Sequence, residues 1–275
     1  MSRRPLLILR LLTLAFLWPA VAGAQPPFAT DDADVTPRGT THIELFNEYD
    51  RLQPSQQPHL RQNTFNMRVN YGLTDHLELD LDAPLITIVN AVTAAPLTAF
   101  GVGDTNFGVK YNVREDQHGA HGVAVAVAAY LEVPTGDAST SIGSGATDIW
   151  VYGALEKALT DRTALRFNAG YLFVGNTSTG VVGITSTTGG HIATFGGSVV
   201  RAMSDKWQLG AEIAGAVTSN ADLNRGQLQV VAGATYEIRK NVNVDIGFIA
   251  GHFAASPRQG IQVGFSIDLP RGQTP

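Results

Sequence analysis

Apolar and polar residues alternate with a period of two through almost the whole chain, in segments of about ten residues. Ile43, Leu45 and Tyr49 fall on one side of such a segment, and His42, Glu44 and Glu48 on the other. Phe65, Met67, Val69 and Tyr71 alternate with Asn66, Arg68 and Asn70. Leu77, Leu79, Leu81 and Ala83 alternate with Glu78, Asp80 and Asp82. Successive side chains of a strand point to opposite faces, so each segment has an apolar side and a wet side. Twelve such segments lie near 40–50, 62–72, 76–87, 104–114, 122–133, 147–157, 163–173, 191–202, 207–218, 226–238, 241–251 and 260–269. Only 191–202, with His191-Ile192-Ala193-Thr194-Phe195-Gly196-Gly197, offers no clean choice of face.

The connections alternate as well. Short turns such as Gly72-Leu73-Thr74-Asp75, Leu159-Thr160-Asp161-Arg162, Met203-Ser204-Asp205-Lys206 and Arg239-Lys240-Asn241 separate longer stretches at 51–61, 88–103, 134–146 and 174–190. Asp and Ser or Thr close tight turns through side-chain-to-backbone bonds. Short turns at one rim and long loops at the other are the pattern of an outer-membrane barrel. The pattern predicts an all-β chain, a transmembrane antiparallel up-and-down β-barrel of about 12 strands, with the long loops outside. A soluble sandwich has shorter strands and lacks that alternation. A lipocalin-like cup has fewer strands.

The first two dozen residues stand apart. Arg3 and Arg4 precede an apolar run from Leu6 to Val21, broken at Arg10 and Pro19 and ending in Ala22-Gly23-Ala24. That is a secretory signal pattern, so 1–24 reads as a signal peptide and 25–275 as the barrel domain. After Ala24 no apolar run is long enough to cross a membrane as a helix, so a spanning chain must close as a barrel, with outer-membrane lipid around it. Three of the 19 Lys and Arg leave with the signal and none of the 24 Asp and Glu does, which gives the remainder a net charge of −8. Such a chain gains nothing from a phosphate backbone, and nucleic acid is not an expected partner. With no cysteine, neither a disulfide framework nor a thiolate metal site can form.

No reactive constellation emerges, and neither an enzyme activity nor a cofactor is expected. Gly101-x-Gly103 lacks the third glycine of a dinucleotide loop and opens a strand rather than a helix. His118 and His121 have no third ligand at useful spacing. No G-x-S-x-G elbow occurs. Asp80 and Asp82 lie two apart on one face, where acid–base work is conceivable but a wet lining is the simpler reading. The polar faces are the informative surface. Their acids include Glu44, Glu48, Glu78, Asp80, Asp82, Glu132, Glu156, Glu212 and Asp245; their bases include Arg68, Lys110, Arg114 and Arg166. Mixed signs on adjacent strands suggest cross-strand pairs. Tyr130, Trp150 and Tyr152 fall on the same side and offer either an aromatic contact for a solute or mere space-filling.

The chain also resembles a known family. Pro27-Phe28-Ala29-Thr30-Asp31-Asp32-Ala33, Gly101-Val102-Gly103-Asp104-Thr105 followed by Gly108-Val109-Lys110-Tyr111, Glu132-Val133-Pro134-Thr135-Gly136 and Asn168-Ala169-Gly170-Tyr171 are similar to stretches of the "MetA-pathway of phenol degradation" proteins. The resemblance implies a barrel associated with uptake of small aromatic or apolar compounds, and it supplies no catalytic residue. One departure is the end of the chain: outer-membrane barrels often finish on an aromatic residue, whereas here Leu269 is followed by Pro270-Arg271-Gly272-Gln273-Thr274-Pro275. Two readings stand from different classes: a channel for small apolar or aromatic solutes, or a closed structural or adhesive barrel plugged by its own charges. The signal pattern predicts cleavage after Ala24. N-terminal sequencing of membrane-fraction protein should read Gln25 first, and an intact Met1 would refute the leader.

Overall fold

The computed structural model describes residues 27–114, 122–173, 191–218, 226–253 and 255–270. The signal segment, His118, His121 and the 174–190 loop lie outside these. Thirteen strand segments form a single antiparallel sheet: β1 (Thr40–Arg51), β2 (His59–Gly72), β3 (Leu77–Asn90), β4 (Thr98–Val102), β5 (Thr105–Arg114), β6 (Val123–Val133), β7 (Asp148–Thr160), β8 (Thr163–Phe173), β9 (His191–Ala202), β10 (Trp207–Thr218), β11 (Gln227–Arg239), β12 (Val242–Gly251) and β13 (Gln259–Pro270). Except for β4 and β5, which both pair with β3, each strand pairs with its neighbours in sequence. β1 pairs with β13 from Thr40↔Pro270 to Arg51↔Gln259, and β2 with β3, which closes the sheet into a barrel of 12 wall positions. Closure matters because an unpaired strand edge has no water to satisfy it in hydrocarbon.

The fourth wall position is shared by two segments. β5 pairs with the lower half of β3, from Leu77↔Tyr111 to Asp82↔Asn106, and β4 with its upper half, from Leu85↔Val102 to Val89↔Thr98. Thr98–Arg114 is therefore one wall strand interrupted at Gly103-Asp104, where Gly103 donates its backbone N–H to the Pro84 carbonyl. Pro84 has no N–H to give, and a bulge is where a sheet tolerates that. The expected 88–103 loop thus shrinks to residues 91–97, because β3 runs on to Asn90 and β4 re-forms after Leu97.

The alternation sets the two faces. Leu79, Phe107, Val109, Val127 and Phe248 point outward and are 39–59% exposed, as lipid-facing residues must be. Glu44, Glu78, Asp80, Lys110, Arg166 and Glu212 point inward and are buried. Arg114 departs from the expected lining. A bulge between Asn112 and Arg114 sets it opposite Val125, and it is exposed on the outer side. In β9, Ile192, Ser198 and Val200 are buried inside while Phe195 and Val199 are exposed outside.

Residues 27–39 are not part of the wall. They form a belt that follows the inner surface almost strand by strand. Arg38 bridges to Gly72 of β2 in parallel fashion, and the Thr36 N–H donates to Glu78 of β3. Asn112 of β5 donates to the Ala33 carbonyl at 2.7 Å. Ala33 itself packs into an alanine-lined cluster of β6 and β7, with Ala124, Ala126, Ala128, Tyr152 and Ala154. Asn168 of β8 exchanges bonds with the Asp31 backbone, and Glu212 of β10 accepts from the Ala29 and Thr30 N–H groups. At Gly39 (φ 75°) the chain turns out of the belt into β1. Inward glycines leave room for the belt. A Cβ at Gly196 or Gly210 would lie 2.6 Å from Thr30 or Phe28, and Pro27 fills the space over Gly233 and Gly247.

Three substitutions separate wall from belt. Leu79→Arg should place a charge near the bilayer midplane and cost about 2–4 kcal/mol, whereas Asp80→Asn should leave the urea midpoint of the refolded protein nearly unchanged. Gly196→Val adds a Cβ whose three nearest neighbours are all atoms of Thr30. It should leave heat-modifiable gel mobility intact while making the 27–39 segment accessible to protease.

Candidate functional site

The lumen holds a cavity of about 540 Å³ whose lining runs from the outer mouth to the inner rim. Ser141, Ser144 and Pro257 lie at its outer end, and Pro37, Asn70 and Asp268 at the rim where β1 begins and β13 ends. Two devices narrow it. At the mouth, the β6–β7 loop folds inward: Ile142 is fully buried against Ile86, Ile88 and Ala99. Asp104, in the β4–β5 break, holds this loop by accepting the Gly136 N–H at 2.9 Å and the Ser144 N–H. Within the same loop Ser139 donates from both N–H and hydroxyl to Asp137, which holds that carboxyl below its usual range. Deeper in, the belt covers the wall from β3 round to β12.

Charge fixes the belt. Lys110, 3% exposed on β5, reaches Asp31 at 3.0 Å and Asp32 at 3.4 Å. Arg166 on β8 reaches Asp32 at 3.3 Å and Glu156 at 2.8 Å. Removing one partner of such a buried pair leaves an uncompensated charge, a loss of about 3–5 kcal/mol. Asp34, beside these pairs but outside the wall strands, has its carboxyl pushed up to about 7 by burial and by neighbouring Asp32. Across the lumen Arg68 spans Glu44 and Asp82, each at 3.1 Å, and lies over the Phe46 ring at 5.6 Å. His42 bonds Asp268 at 2.6 Å and Glu44 at 3.1 Å.

Tyr130, Trp150 and Tyr152 form one stacked group on β6 and β7. Trp150 and Tyr152 have ring centroids 4.4 Å apart, Tyr130 and Trp150 5.8 Å, and Tyr130 and Tyr152 6.0 Å. Their polar tips are already used. Tyr130 donates to Asp80 at 2.8 Å, Tyr152 to Asp31 at 2.6 Å, and Trp150 to Thr194 at 3.0 Å. Leu172 and Ile192 continue the row on β8 and β9, since Trp150 pairs with Leu172 and Leu172 with Ile192. Apolar ring surface, rather than hydrogen-bonding tips, is what this wall turns toward the cavity.

Glu78, Asp80, Asp82, Arg68, Lys110, Tyr130, Trp150, Tyr152 and Arg166 point inward while Arg114 does not, and the nine do not form one site. Lys110, Arg166, Glu78 and Tyr152 hold the belt; Arg68 and Asp82 form a wall pair; Asp80 orients Tyr130. Sequence reasoning missed the belt's own contribution, Phe28, Thr30, Asp31 and Asp32. Its visible trace was three acids in four residues, Asp31, Asp32 and Asp34, just ahead of the first alternating segment. The fixing of the β6–β7 loop by Asp104 was also missed. Among the described residues no group of three His, Cys, Asp or Glu is placed to hold a metal ion.

Comparison with solved structures recovers the same fold. The COG4313 outer membrane channel from Pseudomonas putida F1 is 13% identical with a TM-score of 0.62, over 86% of this chain and 98% of that one. The NanC porin is 10% identical with a TM-score of 0.57, over 82% and 100%. The KdgM porin is 10% identical with a TM-score of 0.55, over 82% and 98%. No curated protein matches in sequence. The profile of the family described as "MetA-pathway of phenol degradation" matches residues 60–269, most of the 275-residue chain, and the chain belongs to that family.

Proposed function

We propose that this outer-membrane barrel is a channel, not an enzyme, and that it admits small apolar or aromatic solutes. The observation that carries the reading is the stacked group Tyr130, Trp150 and Tyr152 on the wall of a cavity that reaches both rims. Because Asp80, Asp31 and Thr194 already accept from the three tips, a solute meets ring faces and the neighbouring Leu172. Offset or edge contacts with such faces are worth about 0.5–1.5 kcal/mol each beyond area burial. The belt and the inward β6–β7 loop leave a space sized for one small molecule at a time. The family and the folds it resembles, a channel and two porins among them, support passage over a purely structural barrel. The signal segment 1–24 would deliver the chain to the outer membrane.

Conductance of the refolded protein tests this. Small monoaromatic solutes should block single-channel current in a saturable way. Trp150→Ala should weaken the block about tenfold, equivalent to about 1.4 kcal/mol, without changing open conductance downward. A block that is absent, or unaffected by Trp150→Ala and Tyr130→Ala alike, would leave the aromatics as space-filling and return the closed-barrel reading.

A further inference from the structure

We propose that Ile142 stands in for the solute: the recess it fills at the outer mouth is a capture site for small uncharged hydrocarbons, and a solute takes that recess by displacing the β6–β7 turn. This rests on the reading of the barrel as a channel for apolar solutes, and it adds the place and means of their entry. The inward face of β3 changes character along its length. Glu78, Asp80 and Asp82 occupy the lower half, whereas Pro84, Ile86 and Ile88 follow toward the outer mouth. Across from them Gly101 of β4 pairs with Ile86, and Ala99 with Ile88. Residues directly opposite on antiparallel strands share a face. These residues make a dry recess beside the polar inner side of β2, where Thr64 and Gln62 pair with Ile86 and Ile88. Glycine leaves part of the recess open: a Cβ on Gly101 would lie 3.3 Å from Ile142 Cγ2. The recess is continuous with the passage, because Ile86, Ile142 and Trp150 border the same cavity.

What fills the recess is one alkyl side chain carried on a turn that is bonded to itself. The Ile142 N–H donates to the Asp137 carbonyl at 3.0 Å, and the Ser139 N–H to the Asp137 carboxylate at 2.9 Å. Ser141, at φ 63° in the left-handed region, reverses the chain just before Ile142. The turn meets the wall at a narrow neck. There the Thr135 hydroxyl donates to the Gly103 carbonyl at 2.7 Å, and Asp104 accepts from the Gly136 and Ser144 N–H groups. Gly136 and Gly143 close the neck so tightly that a Cβ on either would lie 2.7 Å from the Cα of the other. A unit bonded within itself and held at its neck can swing as one piece. Seating Ile142 keeps the recess out of water when no solute is present, and a hydrocarbon of similar size recovers the same burial. A ligand that binds only the vacated recess shifts the population toward the displaced turn by its own affinity. A charged or strongly polar solute finds no side-chain partner among Ile86, Ile88 and Ala99, and its desolvation goes uncompensated.

Photolabelling of the refolded mature protein in detergent micelles tests the proposal. The probe is 3-trifluoromethyl-3-phenyldiazirine, a small aromatic carbene precursor; toluene is the competitor, and labelled residues are read by peptide mass spectrometry. The wild type should carry label at the inward positions Ile86, Ile88 and Ala99, and toluene should suppress it saturably. Ile142→Ala vacates the recess, so it should lower the half-competing toluene concentration at least about threefold. Gly101→Val fills the recess from the wall and should abolish the competable label at the mouth while sparing that at Trp150. Heat-modifiable mobility certifies that each variant is folded; if Gly101→Val is not, Ile142→Ala decides. Competable label at Trp150 with none at the mouth overturns the capture site and leaves solute passage standing. Mouth label that appears only in Ile142→Ala, or a competition curve that Ile142→Ala leaves unmoved, overturns the displacement of the turn. No competable label anywhere in the lumen overturns the channel reading, and the capture site with it.

Discussion

The need to pair every backbone N–H and C=O without water is the constraint from which the rest of this structure follows. In hydrocarbon each unsatisfied group costs several kcal/mol, and an extended chain can meet the demand only by bonding to neighbours all the way round. The β1–β13 seam, in register over the full length of both strands, makes the last of these connections. Where the ladder cannot be regular, local devices keep the account balanced: the Gly103 N–H finds the Pro84 carbonyl at the β4–β5 break. Once the wall is closed, alternation alone decides what meets lipid and what meets the lumen.

Closure creates a second problem, an interior crowded with ionisable groups in a confined space. The chain solves it with its own N-terminal residues. Asp31 and Asp32 take up the charge of Lys110 and Arg166, and the Thr30 and Thr36 N–H groups cap Glu212 and Glu78. The result is an interior divided by chemistry. One arc is filled and neutralised by the belt; beside it runs the aromatic row, with Tyr130 and Trp150 two residues along β6 and β7 from Glu132 and Asp148.

Much of the wall could be read from the residues, because a period of two is both the signal in the sequence and the geometry of the strand. All twelve segments correspond to wall strands, and Glu78, Asp80 and Asp82 point inward as the alternation of Leu77, Leu79 and Leu81 requires. What escaped was whatever depends on contacts distant in sequence. The facing of 191–202 was obscure since Gly196 looks inward for the sake of Thr30, more than 160 positions earlier. Arg114 misled because a bulge shifts the alternation by one residue. β4 was hidden because its pairing partner, the upper half of β3, is continuous through a proline that would ordinarily end a strand. The belt has no periodicity to detect; its shape is imposed by the wall it lies on.

The belt also orders events in the making of this barrel. Its resting place is assembled from residues of β2, β3, β5, β6, β7, β8, β9, β10, β11 and β12, and that curved surface does not exist until nearly every strand has joined. The residues that leave the ribosome ahead of the whole wall are thus the last to find their place. Seating them becomes a record that assembly finished correctly: a barrel with a strand missing or slipped by one position would present glycine gaps and counter-charges out of line with Phe28, Thr30 and the aspartates, and would keep its N-terminal tether loose.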